Sequence, residues 1–141
     1  MVLRRMVKAF WCAVPAPAIV FLVHCVLTLG FNVYDRFTWF DVPMHFIGGV
    51  AIAHFFTVTL RTMGAEAEWR VGSATIFYIA VGELVGISTV IWEFAEFLAD
   101  TVLELGAQRS VANTMKDQFF GLAGGLTYLI IARPAVAELN Q

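Results

Sequence analysis

The sequence predicts an all-α, polytopic membrane protein built as a compact bundle of four transmembrane helices. Of its 141 residues, 60% are hydrophobic and 14% are charged, whereas soluble domains carry about 25% charged residues. The apolar residues fall into four long segments separated by polar connectors. At about 20 residues per span, the chain accommodates four helices in a single integral membrane domain, residues 1–141.

The four expected spans are marked with different clarity. They are placed at about 10–31, 42–60, 73–98 and 114–132. The first contains Pro15 and Pro17, which a membrane helix tolerates near its start, and we expect it to stay uncleaved because no small-residue cleavage site follows it. The last apolar run, 117–132, is marginal for a span, so we expect its helix to begin earlier, near Asn113.

The distribution of Lys and Arg predicts that both termini are cytoplasmic. With the N-terminus inside, six basic residues lie on the cytoplasmic face and three on the outer face. The inner set is Arg4, Arg5, Lys8, Arg61, Arg70 and Arg133, and the outer set is Arg36, Arg109 and Lys116. Four tryptophans near the expected boundaries are typical of an aromatic belt. They are Trp11, Trp39, Trp69 and Trp92.

Seven polar residues are expected at similar depth, at the outer ends of spans two to four. They are Asp41 and His45, then Glu93, Glu96 and Asp100, then Asn113 and Asp117. Within each span they are three or four positions apart and therefore share one helix face. A carboxylate at membrane depth costs several kcal/mol unless it is paired, protonated or bound to a cation. The sequence thus predicts that these side chains converge on one pocket.

Simpler explanations exist for single members of this cluster. Asp41 precedes Pro43 and would serve as the N-cap of the second helix, a role that is compatible with a place in the site. Asp100 would be a solvated charge among the headgroups, and His45 a hydrogen-bonded packing residue.

The donor types in the cluster suit a divalent metal ion. Carboxylate oxygens combined with an imidazole nitrogen select Zn²⁺, Mn²⁺ or Fe²⁺ over softer ions. The expected ligands are His45, Glu93, Glu96 and Asp117, with Glu93 and Glu96 as candidate catalytic groups, and with Asp41, Asn113 and Asp100 as residues that hold the ligands in place. Small residues in the same three spans would let the helices approach closely. They are Gly48, Gly49, Gly82, Gly86, Gly121, Gly124 and Gly125.

Three further ionisable residues are expected near the middle of the bilayer: His24, His54 and Glu83. They form a candidate ion path. His54 is nine positions from His45 and therefore points to the opposite side of its helix. A hydrogen-bonded packing role, or a contact with a partner subunit, is the alternative for each of them.

Three motifs follow one another on successive predicted helices: DVPMHFIGG, IWEFAEFLAD and NTMKDQFFGLAGG. Over about residues 41–125 they resemble the uncharacterised bacterial inner-membrane proteins of the YjdF-like family and, more distantly, the VanZ-like proteins. The family's recurring positions fall on Asp41 and His45, on Trp92, Glu93 and Glu96, and on Asn113, Thr114 and Asp117. Gly121 stands where relatives often carry a polar residue. The resemblance implies a multi-pass protein of the bacterial inner membrane and says little about activity.

The sequence leaves three functions open. In the first, the cluster binds a metal and acts on or recognises a lipid or lipid-linked envelope substrate; activated water would be the nucleophile, since no HExxH, phosphate loop or nucleophile motif is present. In the second, the chain conducts or transports ions or protons as a homo-oligomer. In the third, it is an accessory subunit of a larger membrane complex whose carboxylates pair with Arg36, Arg109 or Lys116. A net charge of −2 with scattered basic residues argues against a nucleic-acid partner.

Overall fold

The computed structural model describes residues 2–64, 74–103 and 109–137. Trp69 was expected in the aromatic belt and Arg70 among the cytoplasmic basic residues, but both lie outside the described residues. The side chains of Arg5 and Arg133 lie outside them as well. The cytoplasmic placement of both termini therefore stays a prediction.

The described residues form helices joined by short connectors, and they contain no strand. The helices are α1 Val2–Ala13, α2 Pro15–Cys25, α3 Val33–Arg36, α4 Asp41–Gly64, α5 Ala74–Leu103 and α6 Val111–Ala137. A π-helical turn, Val26–Gly30, follows α2, and a 3-10 turn, Thr38–Phe40, precedes α4. The all-α prediction is confirmed.

In the part of the chain that the structure describes, three stretches are long and apolar enough to cross a membrane: Met6–Gly30, Thr38–Met63 and Ala74–Leu103. They correspond to the first three expected spans. The fourth is not among them, although α6 has 27 residues. A count of four spans therefore stays a prediction.

The first span is divided where its prolines lie. Pro15 and Pro17 lack the N–H that would bond to the preceding turn, and α1 ends at Ala13 while α2 begins at Pro15. Val14 keeps helical angles and donates to the carbonyl of Phe10 at 2.8 Å, so the chain direction changes little. The span ends at Asn32, whose left-handed angles (φ 49°, ψ 43°) turn the chain towards α3.

Helix α4 is the central helix and contacts α1, α2, α5 and α6. Its closest approach is to α6, where the two backbones touch. A methyl group at Gly49 would overlap the carbonyl group of Gly121, and one at Gly124 would overlap that of Phe46. Only glycine permits such a crossing, as the small residues of these helices predicted.

A small apolar core lies towards the end of the bundle that is remote from the expected polar cluster. It consists of Ala53, Phe77, Val81, Val85 and Leu129. Long rows of apolar side chains on the outer surfaces of α2, α5 and α6 are exposed, including Leu22, Ile91 and Ile130. Such surfaces are suited to contact with acyl chains rather than with water.

Candidate functional site

His45 lies at the centre of the polar cluster, near the N-terminal end of α4. Its Nε2 is 3.3 Å from Asp41 Oδ1 and 4.0 Å from Asp117 Oδ2, while its Nδ1 is 4.0 Å from Glu93 Oε1. The four side chains are largely withdrawn from the surface, with exposures of 9% for His45, 14% for Asp41, 6% for Glu93 and 0% for Asp117. Helices α4, α5 and α6 thus bring together the residues that the sequence placed at one depth.

Two groups of potential ligands share His45. One is Asp41, His45 and Asp117; the other is His45, Glu93 and Glu96, and within each group the ligand atoms lie within 4.8 Å of one another. Bonds of about 2.0–2.2 Å to a common ion require ligand atoms roughly 3.5 Å apart. The ligand atoms of either group would have to move closer together to bind one ion. The donor set fits Zn²⁺, Mn²⁺ or Fe²⁺, as the sequence predicts.

The Asp41 side of the cluster already contains a cation. Lys116 Nζ is 3.7 Å from Asp41 Oδ2 and 3.4 Å from Asp117 Oδ1, and it donates to Asn113 Oδ1 at 2.7 Å. Asn113 in turn donates to Asp41 Oδ2 at 3.1 Å and to Asp117 Oδ2. Asp117 Oδ1 is buried and accepts no hydrogen bond in the described part of the chain. Asn113 thus holds both carboxylates, as expected, and Lys116 is one of the three basic residues that the salt-bridge hypothesis named.

The Glu93 side of the cluster is held by neutral donors. Trp92 Nε1 donates to Glu96 Oε1 at 2.7 Å, and the Thr114 hydroxyl donates to the Glu93 carboxylate. Trp92 was expected in the aromatic belt, but its ring is partly buried and stacks edge-on against His24 at 5.1 Å. The four-residue spacing of Trp92 and Glu96 is the signal by which this contact is recognisable in the sequence.

An apolar cavity of about 130 Å³ lies beside His45, between α2, α4 and α5. Phe21, Met44 and Ile52 are among the apolar residues of its wall, and Trp92 and His45 close its end towards the cluster. No periodicity in the sequence indicates this cavity, because it depends on how α2 crosses α4.

The two histidines of the candidate ion path, His24 and His54, are both hydrogen-bonded to tyrosines. His54 Nδ1 is 3.1 Å from the Tyr128 hydroxyl, which ties α4 to α6, and His24 Nδ1 is 2.9 Å from the Tyr34 hydroxyl. In the connector that contains Tyr34, burial, reinforced by the charges of Asp41 and Glu96, raises the pKa of this phenol above its ordinary value. It therefore stays a neutral donor.

Of the other expected residues, Asp41 belongs to the cluster, while Asp100 and Glu83 are in neither ligand group. Asp41 has helical angles (φ −56°, ψ −45°) and is the first residue of α4, so the N-cap explanation, which needs non-helical angles, is wrong for it. Asp100, in the last turn of α5, is partly buried and belongs to neither ligand group. Glu83 is exposed on α5. Arg109 contacts Asp35 at 3.2 Å and the Tyr34 carbonyl rather than the cluster.

Comparison with known proteins gives a family but no activity. The family described as "Predicted membrane protein (DUF2238)" matches residues 2–137. A relative from Thermotoga maritima, described as an uncharacterized protein, is 33% identical over 106 residues, which are 74% of this chain and 53% of that protein. The chain thus spans about half the length of the relative it matches. No solved structure matches it.

Proposed function

We propose that this chain, which belongs to the DUF2238 family of predicted membrane proteins, binds a divalent metal ion in the cluster around His45. It uses that ion on a lipid or lipid-linked substrate of the cell envelope. The proposal includes a four-span bundle in the bacterial inner membrane with both termini in the cytoplasm. Membership of this family is compatible with the resemblance to the YjdF-like proteins, and we propose that the chain is related to them.

The observation that carries the proposal is the position of the His45 ring between two sets of carboxylates. Its Nε2 faces Asp41 at 3.3 Å, and its Nδ1 faces Glu93. A metal-bound histidine almost always donates its other ring N–H to a carboxylate or carbonyl, which fixes the ring and strengthens the ligand. Asp41 is placed for that role, so Nδ1 is the nitrogen left for the metal.

Lys116 favours one of the two ligand groups. Its ammonium lies within 4 Å of Asp41 and Asp117, where it would repel a second cation and already balances these carboxylates. Around Glu93 the supporting contacts come from neutral Thr114 and Trp92 instead. We therefore assign the ion to the group formed by His45, Glu93 and Glu96. The sequence predicted Asp117 as a further ligand, and we assign it instead the role of holding Lys116 and Asn113.

The chemistry of this site depends on the bound ion and on the side chains around it. A bound divalent ion polarises a phosphoryl or carbonyl oxygen and lowers the pKa of a coordinated water. Trp92 engages one oxygen of Glu96 and leaves the other without a bond from this indole. If Oε1 also binds the ion, the second oxygen would be the one left to accept a proton from the attacking water, in the role of general base.

The cavity beside His45 supports a lipid as substrate. Its predominantly apolar wall is suited to contact with a hydrocarbon chain. It begins at His45 and Trp92 and continues inward past Gly48 to Ile52, along the depth of the membrane. A molecule with an acyl or prenyl chain in this cavity would present its polar end to Glu93 and Glu96.

Metal analysis of the protein purified in detergent tests the proposal. We expect one Zn, Mn or Fe ion per chain in the wild type, and loss of that ion in Glu93→Gln and in His45→Ala. Asp35→Asn is the matched control, because its carboxylate is exposed and pairs with Arg109 outside the cluster. The proposal is wrong if the wild type carries no metal and takes none up from buffers containing each of the three ions.

Lys116 also favours a second candidate function, that of a non-catalytic accessory subunit. Here the ion pairs of Lys116 with Asp41 and Asp117 balance the cluster, and no metal is needed. This candidate predicts a metal-free wild type that Glu93→Gln nevertheless destabilises. The ion-path alternative has no comparable support, because no contact among the described residues links His24, His54 and Glu83.

A further inference from the structure

Glu83 occupies a position that neither the fold nor the proposed metal site uses. It is the tenth residue of α5, ten positions before Glu93, and so about 15 Å from the cluster along the helix axis. Its side chain is exposed. The residues one turn away on the same face, Ile79 and Ile87, are apolar and 55% and 56% exposed.

No hydrogen bond or ion pair to Glu83 is present in the described part of the chain. Ionisable side chains inside a membrane almost always face a protein interior or a water-filled cavity, and they pair with another polar group. Glu83 instead faces outward among isoleucines. A protein that covers this surface of α5 would bring a hydrogen-bonding partner to the depth of Glu83.

The backbone beside Glu83 is open to a close neighbour. A methyl group at Gly82 would meet no atom within 4 Å, so this glycine is not needed for packing inside the chain. Gly86, one turn later, differs because its methyl group would meet Leu122 of α6 at 3.6 Å. A glycine on an outward helix surface permits another helix to approach closely.

We propose that a second copy of this chain covers this surface, with α5 packed against α5 and the two Glu83 side chains hydrogen-bonded to each other. Copies inserted with the same orientation are related by an axis along the membrane normal, which places identical residues at identical depth. A second copy thus supplies a carboxyl group opposite Glu83 without any further requirement. Two adjoining carboxyl groups retain a proton between them, so one donates and the other accepts.

Cysteine cross-linking in native membranes tests this dimer. With Cys12 and Cys25 replaced by alanine, Ile79→Cys is expected to form a disulfide-linked dimer under mild oxidation. Ile130→Cys is the matched control: it lies on α6 and is 71% exposed, and its distance from Asp117 along the helix is nearly that of Ile79 from Glu93. The proposal fails if Ile79→Cys yields no more dimer than Ile130→Cys, or if it is linked to a different protein.

Two substitutions test whether the dimer depends on the packing around Glu83 or whether the two helices are only close enough to be cross-linked. Glu83→Lys should abolish the cross-linked dimer when both copies carry it, because two ammonium groups repel, and mixing with wild-type Glu83 should restore it as a mixed dimer. Gly82→Leu should also abolish it while leaving the fold intact, since the leucine extends into open space within one chain. Persistence of the dimer in both variants would overturn the proposed packing, and normal metal content in them would show that the metal site is independent of it.

Discussion

Adjacent glycines in α4 offer the sharpest test of the fold that positions the cluster. At Gly48 an added methyl group meets no atom within 4 Å. At Gly49 it overlaps the Gly121 carbonyl oxygen and comes within 2.8 Å of the carbonyl carbon and 3.1 Å of Cα. Since these contacts are backbone, no side-chain rotation relieves them. Gly49→Ala therefore forces α4 and α6 apart, whereas Gly48→Ala is accommodated.

The expected effects have opposite signs. Alanine is favoured over glycine inside a helix by up to about 1 kcal/mol, so Gly48→Ala should be neutral or stabilising. Overpacking of a tight contact costs about 1–3 kcal/mol, and Gly49→Ala should fall at the upper end of that range because the backbone itself must move. At roughly 2–4 °C per kcal/mol for a chain of this size, Gly49→Ala should lower the melting temperature by about 5–10 °C.

Thermal unfolding in detergent, followed by tryptophan fluorescence, measures both variants. Separation of α4 from α6 also moves His45 relative to Thr114 of α6, which holds the Glu93 carboxylate, so metal content should fall in Gly49→Ala alone. Equal melting temperatures for the two alanine variants would refute the close crossing of α4 and α6.

Three further substitutions separate the contributions within the cluster and below it. Trp92→Phe removes the bond to Glu96 Oε1 and should weaken metal binding by about 10–100-fold in a competition titration; unchanged affinity would remove Glu96 from the ligand set. Lys116→Gln removes a cation that lies 3.4 Å from Asp117 Oδ1 and should tighten metal binding in the same titration, whereas weaker binding would contradict the assignment of the ion to the Glu93 side. Tyr128→Phe loses the contact with His54 at 3.1 Å and should cost about 0.5–1.5 kcal/mol of stability with no change in metal content, and a loss of metal would show that the two regions are coupled.

The helix positions were predictable because apolar run length is a local property of the sequence. The second expected span, 42–60, corresponds to α4 Asp41–Gly64, and the third, 73–98, to α5 Ala74–Leu103. The break after Ala13 was not expected, although Pro15 and Pro17 mark it. Their missing N–H groups act on the helix ladder, which a hydropathy window does not register.

Spacing of three or four residues was sufficient to predict which side chains share a helix face, but not which faces meet. Asp41 and His45 are in contact as their spacing predicts. Glu83 was a candidate for an ion path, for a packing role or for a contact with a partner subunit, and its spacing did not indicate that its side chain is exposed. Its orientation follows from the rotation of α5 against α6, and that rotation is set by contacts such as Gly125 with Val85, which are distant in sequence.

The charged residues of the cluster and the glycines of the helix crossing have the same spacing on α4 and on α6. Gly49 follows His45 by four positions, and Gly121 follows Asp117 by four, so each glycine lies one turn below its charged residue on the same face. The closest approach of α4 and α6 is therefore directly beneath the cluster. The glycine crossing brings Asp117 within reach of His45, and a shift of one residue in either helix would remove the crossing and the cluster together.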